Sequence, residues 1–512
     1  MYKELFIVRN RYVDSVSLMN VQARAMDEGG VHLAEVQMGT PINIHVLKEM
    51  GFDVPSDAEL SDLLIGVEAE DAAACERCRQ LIMDLLDHKE VGGGDETYSS
   101  LDEIDFEATG YNLVQISIPG EYVVEETKKA VDKGCDVYIF SADISLEEEL
   151  EIKEYGRDHH KLIMGPDCGV AQLNGVCLGA GSIYNYGPIG IVAASGSGSQ
   201  EVGAVIERCG FGLTNLIGTG GRDLSKVVGG TAMMEGIKRY EVDPETKVIV
   251  LVSMLADRGV MDKVLSFADG CSKPVVAIFL GSDEKLFEGH KVHGTFSLEE
   301  AGLKAVELLT GKPAKQGYSD DELEAIAAEE LKKYAPGQNL YRGYFMGGTF
   351  AEETLVYLTT HTDGIEFWSN RKNDYVKKLP DSFKSVGNTI LDLGDTDFTT
   401  GAVHPVFDNT IRDRRMIKDL EECGDVAVVM IDFIGGPGLD FDPFEKTVKA
   451  FKDAEARTGR HITVIANIVG TYEDPQDFKT YVPYLRENGM IVTGSNMQSA
   501  KLARMIMEGL KK

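Results

Sequence analysis

Small residues closing apolar runs mark the places in this sequence best suited to chemistry. Ile191-Val192-Ala193-Ala194 runs into Ser195, Gly196, Ser197, Gly198 and Ser199, and Val202, Val205 and Ile206 follow at helical spacing. A strand that feeds a glycine–serine turn at a helix start suits an anion. The free N–H groups point outward, the helix dipole favours negative charge, and glycine lets the backbone come close. One exposed helix end contributes only about 0.3–1 kcal/mol, so a held phosphate needs a second cradle or a cation. A tight turn that binds nothing would use the same residues. A second turn of this kind is Met346-Gly347-Gly348-Thr349, again between an apolar run and a helix. Two dipoles converging on one anion supply what one cannot. Other candidates are Gly220, Gly221 and Asp223, with Arg222 among them as a planar cation for phosphate or carboxylate. Gly435 and Gly436 end another apolar run, His404 precedes a proline, and Arg412 lies on a helix. An ion pair between Arg222 and Asp223 and a structural His404 are the simpler alternatives.

The elements that must position these residues read as α/β throughout. Strands are expected at 5–13, 31–38 and 63–69, with helices at 15–27, 42–50 and 71–87 and Asp14 as an N-cap. The first turn, residues 9–15, has no glycine and so lacks a dinucleotide fingerprint. Residues 92–100 read as a flexible linker. Strands at 112–118, 135–141 and 161–164 alternate with helices, which implies a parallel sheet. Further strands are expected at 213–218, 248–253, 275–280, 340–345, 389–393, 426–431, 463–467 and 490–493. A linker with an acidic helix spans 313–337. Four domains follow: 1–91, 106–182, 185–312 and 338–512.

A chain of 512 residues with 43% hydrophobic and 26% charged residues is ordinary for a soluble globular protein. Its net charge of −33 repels nucleic acid and anionic membrane, so neither is expected as a partner. No apolar run approaches the ~20 residues of a membrane helix, and the N-terminus does not read as a signal peptide. Eight scattered cysteines fit free thiols in a reducing cytoplasm. Cys75 and Cys78 form a CxxC with no second pair, which reads as a plain helix, and no metal is expected.

These motifs resemble the succinyl-CoA synthetase superfamily, and most closely its FdrA branch. Gly165-Pro166-Asp167-Cys168-Gly169 is similar to the loop that ends that superfamily's CoA-binding domain. Residues 190–201 resemble a phosphate-facing helix start of its α subunit, and 346–349 and 434–436 resemble glycine turns of its β subunit. The FdrA likeness runs from Asp14-Ser15-Val16-Ser17 through Gly220-Gly221-Arg222-Asp223 to His404-Pro405. It implies a small N-terminal α/β domain and a Rossmann-like CoA-binding-type domain. Two flavodoxin-like ligase domains with parallel sheets would follow. The chain departs from a working synthetase in three ways. No stretch reads as an ATP-grasp module, the phosphohistidine loop looks deleted, a remnant at His290 or His293 being the less favoured alternative, and the CoA domain lacks its glycine loop.

The FdrA resemblance implies a cytoplasmic subunit of an oxamate carbamoyltransferase of allantoin and purine catabolism, acting beside companion subunits. Oxalurate and phosphate would give oxamate and carbamoyl phosphate. On that expectation Ser195, Gly196, Ser197, Gly198, Ser199, Gly347, Gly348 and Thr349 bind phosphate. Arg222 or Arg412 holds the substrate carboxylate, His404 donates a proton, and Gly220, Gly221, Asp223, Gly435 and Gly436 line the substrate loops. No cofactor is expected beyond phosphate as substrate, with CoA the doubtful exception. The alternatives are an ADP-forming acyl-CoA synthetase subunit and a non-catalytic scaffold.

Overall fold

The structure is a computed structural model that describes residues 2–11, 13, 15–26, 28–87, 98–373, 375–400 and 403–511. The chain forms two compact units: residues 1–98 with 394–404, and residues 99–393 with 405–512. The expected N-cap Asp14 and linker residues 92–97 lie outside the described residues.

In the first unit three strands form an antiparallel sheet, with Leu63–Ala69 between Tyr2–Val8 and Val31–Met38. The expected first strand, 5–13, ends at Val8 and starts earlier. The central strand is buried on both faces, so it reads as a continuous apolar run. Leu63, Ile65 and Val67 pack with Leu18, Val21, Cys75, Cys78 and Ile82, while Leu64 packs with Leu47, Phe52 and Val54. Gly66 keeps the second face open, since a Cβ there would stand 2.9 Å from the Phe52 ring.

The second unit holds three sheets. Leu113–Ile116, Asp136–Ile139 and Ile163–Met164 form a parallel sheet of three strands. A seven-stranded sheet is centred on Tyr186–Ala193, with Leu213–Gly218 on one side and Val248–Met254 on the other, all parallel. The hairpin Val170–Leu173/Val176–Gly179 precedes residue 182 in the chain, yet it is paired antiparallel onto Leu213–Gly218 at the edge of this sheet. The other seven-stranded sheet is wholly parallel, with Leu340–Phe345 between Asn388–Asp392 and Val426–Ile434. In both large sheets the strand before a glycine turn therefore has its two neighbours on opposite sides. That is the switch point at which open parallel sheets leave a crevice beyond their carboxyl ends.

The segment 313–337 is docked. Its helix Asp320–Glu330 opens on a Ser319/Glu322 capping box and buries Leu323 and Ala327 in the main core beside the Asn496–Leu510 helix. Among the described residues no helix is long and apolar enough to cross a membrane.

Where Tyr186–Ala193 and Leu213–Gly218 begin, two backbones touch: a Cβ on Gly212 would stand 2.0 Å from the Asn185 carbonyl oxygen. Gly212→Ala is expected to cost about 1–3 kcal/mol through overpacking. Denaturant unfolding measures it, and a variant as stable as the parent contradicts the packing described.

Candidate functional site

The two glycine turns meet. Ser195 caps the Gly196–Arg208 helix by accepting from the Gly198 N–H at 3.2 Å. Its Oγ also lies 2.7 Å from Thr349 Oγ1, in the first turn of the Gly348–His361 helix. The glycines are required by this approach. A Cβ on Gly198 would stand 2.5 Å from Ser195 Oγ and 3.1 Å from Thr349 Cγ2, and one on Gly347 would stand 2.9 Å from Ser197 Cβ. The first-turn amides of Gly196, Ser197, Gly348 and Thr349 have no acceptor within their helices, and both dipoles end at this junction.

The second helix start is already supplied with negative charge. Asp432, fully buried within the Val426–Ile434 strand, accepts from Met346 N–H at 2.9 Å and Gly347 N–H at 2.8 Å. Burial pushes its carboxyl up to about 6. Asp392 Oδ2 comes within 2.6 Å of where a Gly348 Cβ would be. Arg371 answers these charges. Its guanidinium pairs with Asp392, and its Nε donates to Glu352 at 3.0 Å. Nη1 lies 3.1 Å from the Gly348 Cβ position, and the side chain is 20% exposed. The sequence reading missed Arg371, Asp392 and Asp432. Each lies in or just after a strand, but only the strand order brings them to one crevice.

The remaining candidates are distributed differently. The 218–223 loop lies on the 165–168 loop, with a Gly220 Cβ position 2.3 Å from the Pro166 carbonyl oxygen. Gly221 faces the Ala194 carbonyl. Arg222, 39% exposed, pairs with the buried Glu149 at 3.0 Å instead of with Asp223. Asp223 is fully buried and accepts from Lys153 Nζ, Ala232 N–H and Met233 N–H at 2.9, 3.1 and 2.9 Å. Cys168 is buried below this loop, and its thiol is pushed up to about 12 by burial.

Arg412 is fully buried. It donates to Asp413, the Asp432 carbonyl and Thr447, and its guanidinium lies 4.7 Å from the Phe433 ring centre. Gly435 and Gly436 receive the 181–182 segment: Ser182 Oγ donates to the Gly435 carbonyl at 2.9 Å, and a Gly436 Cβ would stand 2.5 Å from the Gly181 carbonyl oxygen. His404 belongs to the first unit, where burial pushes its imidazole down to about 4. It is therefore neutral near pH 7.

His290 and His293, the less favoured candidates for a phosphohistidine remnant, lie at the edge of the sheet, away from the junction. His293 pairs with Val276, at the amino end of the Val275–Leu280 strand, whereas Ser195 follows the carboxyl end of Tyr186–Ala193, a parallel strand two places away in the sheet. His290 contacts Asp269 at 2.7 Å and Asp262 at 3.3 Å.

Comparison with known proteins gives these residues a context. Residues 344–506 match the CoA-ligase family, and residues 1–100 match the family described as AllF, heavy metal-associated domain. The protein YahF of Escherichia coli, itself uncharacterized, is 35% identical over 508 residues, 98% of each chain. A succinate–CoA ligase [ADP-forming] α subunit of Methanothermobacter thermautotrophicus is 26% identical over 37% of this chain and 64% of its own length. The ADP-forming sulfoacetate-CoA ligase subunit SauD of Bilophila wadsworthia is 29% identical over 33% of this chain and 59% of its own. The chain thus spans less than two thirds of either ligase subunit.

These matches overturn the expected carbamoyl transfer from oxalurate to phosphate, because the ligase subunits matched are those of acid–thiol ligases and the matched family is of the same kind. A heavy metal in the first unit does not fit the residues described there. Cys75 and Cys78 are buried, their thiols are raised by burial (Cys78 to about 11), and both face backbone carbonyls. Among the described residues no three His, Cys, Asp or Glu side chains are grouped to hold a metal.

Asp432→Ala strips the acceptor from two buried N–H groups, at about 1–3 kcal/mol for each. Denaturant unfolding should show that loss, and Asp432→Asn, which keeps one oxygen, should recover part of it. An Ala variant with parental stability would contradict this role.

Proposed function

Because the chain belongs to the family of Escherichia coli YahF, and its 344–506 segment to the CoA-ligase family, we propose that it is a subunit of an ADP-forming acid–thiol ligase. The observation that carries this reading is the direct junction of two helix starts, Ser195 against Thr349, at the switch points of the two seven-stranded sheets. The finer placement within the FdrA branch rests on the motifs from Asp14-Ser15-Val16-Ser17 through Gly220-Gly221-Arg222-Asp223 to His404-Pro405.

The step that suits this junction is exchange between an acyl phosphate and a thioester. The thiolate of CoA attacks the acyl carbon, the carbon–oxygen bond to phosphate breaks, and the oxygen leaves with its electron pair as inorganic phosphate. The thiol proton goes to solvent. Negative charge gathers on the departing phosphate, where outward amides at Gly196, Ser197, Gly348 and Thr349 stabilise it. Arg371 holds Asp392 and Glu352 neutralised, so that the second helix start does not repel the anion. Arg222, exposed beside the first helix start, is placed to meet a substrate carboxylate. Nucleotide chemistry falls to a companion chain, because this sequence has no stretch of ATP-grasp pattern and its His290 and His293 stand at the far edge of the sheet.

The test is thioester formation from CoA and a panel of acyl phosphates, read by mass spectrometry, beside calorimetric titration with inorganic phosphate. Thr349→Val removes the hydroxyl contact at nearly constant volume. It is expected to lower turnover about ten-fold, the equivalent of about 1.4 kcal/mol of lost alignment. Absence of both phosphate binding and thioester, with and without a companion chain, would refute the reading.

A further inference from the structure

The helices that meet at Ser195 and Thr349 meet a second time, deeper in the fold. Glu201 lies six residues beyond Ser195 and Glu353 six beyond Gly347, so each stands roughly 9 Å along its helix from the junction. Both side chains are buried. One residue, Asn496, serves both: its N–H donates to Glu201 Oε1 at 2.7 Å and its Nδ2 donates to Glu353 Oε2 at 2.8 Å. Asn467 Nδ2 donates to Glu201 Oε2 at 3.2 Å, and the Leu298 N–H donates to Glu353 Oε1 at 2.8 Å.

Two features of this pocket do not balance. Two buried carboxyls share it, and among the described residues neither forms an ion pair with a cation, although buried charges are ordinarily paired. In addition, Asn467 Oδ1 and Asn496 Oδ1 are buried acceptors with nothing to donate to them. A neutral carboxyl brings the donor that is missing. If the Asn467 amide is turned over, a proton on Glu201 Oε2 meets Asn467 Oδ1, and no other recorded hydrogen bond of that amide is lost.

We propose that the Glu201–Glu353 pair is a proton site: it holds a proton, carried by Glu201 toward Asn467, that proton keeps the two helices in register around Asn496, and anion binding at their starts is thereby gated by pH. The proton site stands on the geometry above, while its coupling to anions rests on the ligase reading. The neighbouring charges on each packed element are consistent with it. Arg208, on the Glu201 helix, favours the charged form, whereas Glu299, on the Leu298–Thr310 helix, opposes it for both acids. Lys501, on the Asn496–Leu510 helix, acts on Glu299. Desolvation raises Glu201 to about 7 and Glu353 to about 8. Since these sites interact, the titration belongs to the pair.

The direction follows from linkage. Acids raised on folding contribute stability that is complete below their unfolded value, about 4.3, and lost as pH rises through about 7 and 8. Above that range two negative charges share a dry pocket, and their repulsion pushes the helices apart.

The experiment follows thermal unfolding and inorganic phosphate affinity from pH 5 to 9, in the parent, Glu201→Gln and Glu353→Gln. The amide of Gln supplies a permanent donor without charge. The parent's melting temperature should fall with pH through the stated window, and its phosphate affinity should drop at least ten-fold; both dependences should flatten in the Gln variants. Infrared spectroscopy, with Asp432→Asn and Asp474→Asn removing the other carboxyls raised to about 6, reads the protonated carboxyl and serves even if a Gln variant fails to fold. A proton band absent at pH 6, or a melting profile unchanged in both variants, overturns the proton site. A parent that binds no phosphate at any pH overturns the coupling to anions and the ligase reading with it, while the melting profiles still judge the proton.

Discussion

The second unit depends on the approach of two helix starts to within a hydroxyl–hydroxyl bond. Ser195 and Thr349 each follow a parallel strand whose neighbours lie on opposite sides, so each helix leaves its sheet at a crevice. Bringing two positive dipole ends together is unfavourable unless something compensates. Here the compensation is built in: Asp432 takes two amides before the second helix, and Asp392 stands against its first turn. Arg371 then limits the negative charge those carboxylates bring. The junction is thus a balance of fixed charges set before any ligand arrives.

Much of this architecture was legible in the sequence. Strands 213–218, 275–280 and 340–345 were bounded correctly because each is buried at nearly every position and ends at, or within two residues of, a glycine. The antiparallel sheet of the first unit was not legible, since its strands alternate with helices just as parallel ones do. The hairpin at 170–179 could not be assigned to its sheet for a related reason: sheet membership is decided by long-range pairing.

For the site, glycine turns were readable and charges were not. Arg222 and Arg412 look alike in sequence, yet one is partly exposed on a loop and the other is sealed over Phe433 with its donors used internally. Asp223 and the Gly435–Gly436 turn also serve the fold's own contacts, as a helix-start acceptor and as a seat for residues 181–182. The net charge of −33 gives no hint of these placements, because a long-range field says little about where a few buried carboxylates lie. The function first drawn from a family resemblance failed at a comparable point. A shared fold and shared turns do not fix the reaction, which belongs to the site.

The docked segment 313–337 bears on assembly. By burying Leu323 and Ala327 beside the last helix, and by receiving Gln498 Nε2 on the Gln316 carbonyl at 3.1 Å, it binds the two large sheets into one covalent body. Two such halves on separate chains would meet with a probability set by their concentrations. Joined, they meet at an effective concentration of order millimolar for even a flexible short tether, and a docked tether exceeds it. Dilution therefore cannot open the junction, and its integrity is independent of how much of the protein a cell makes.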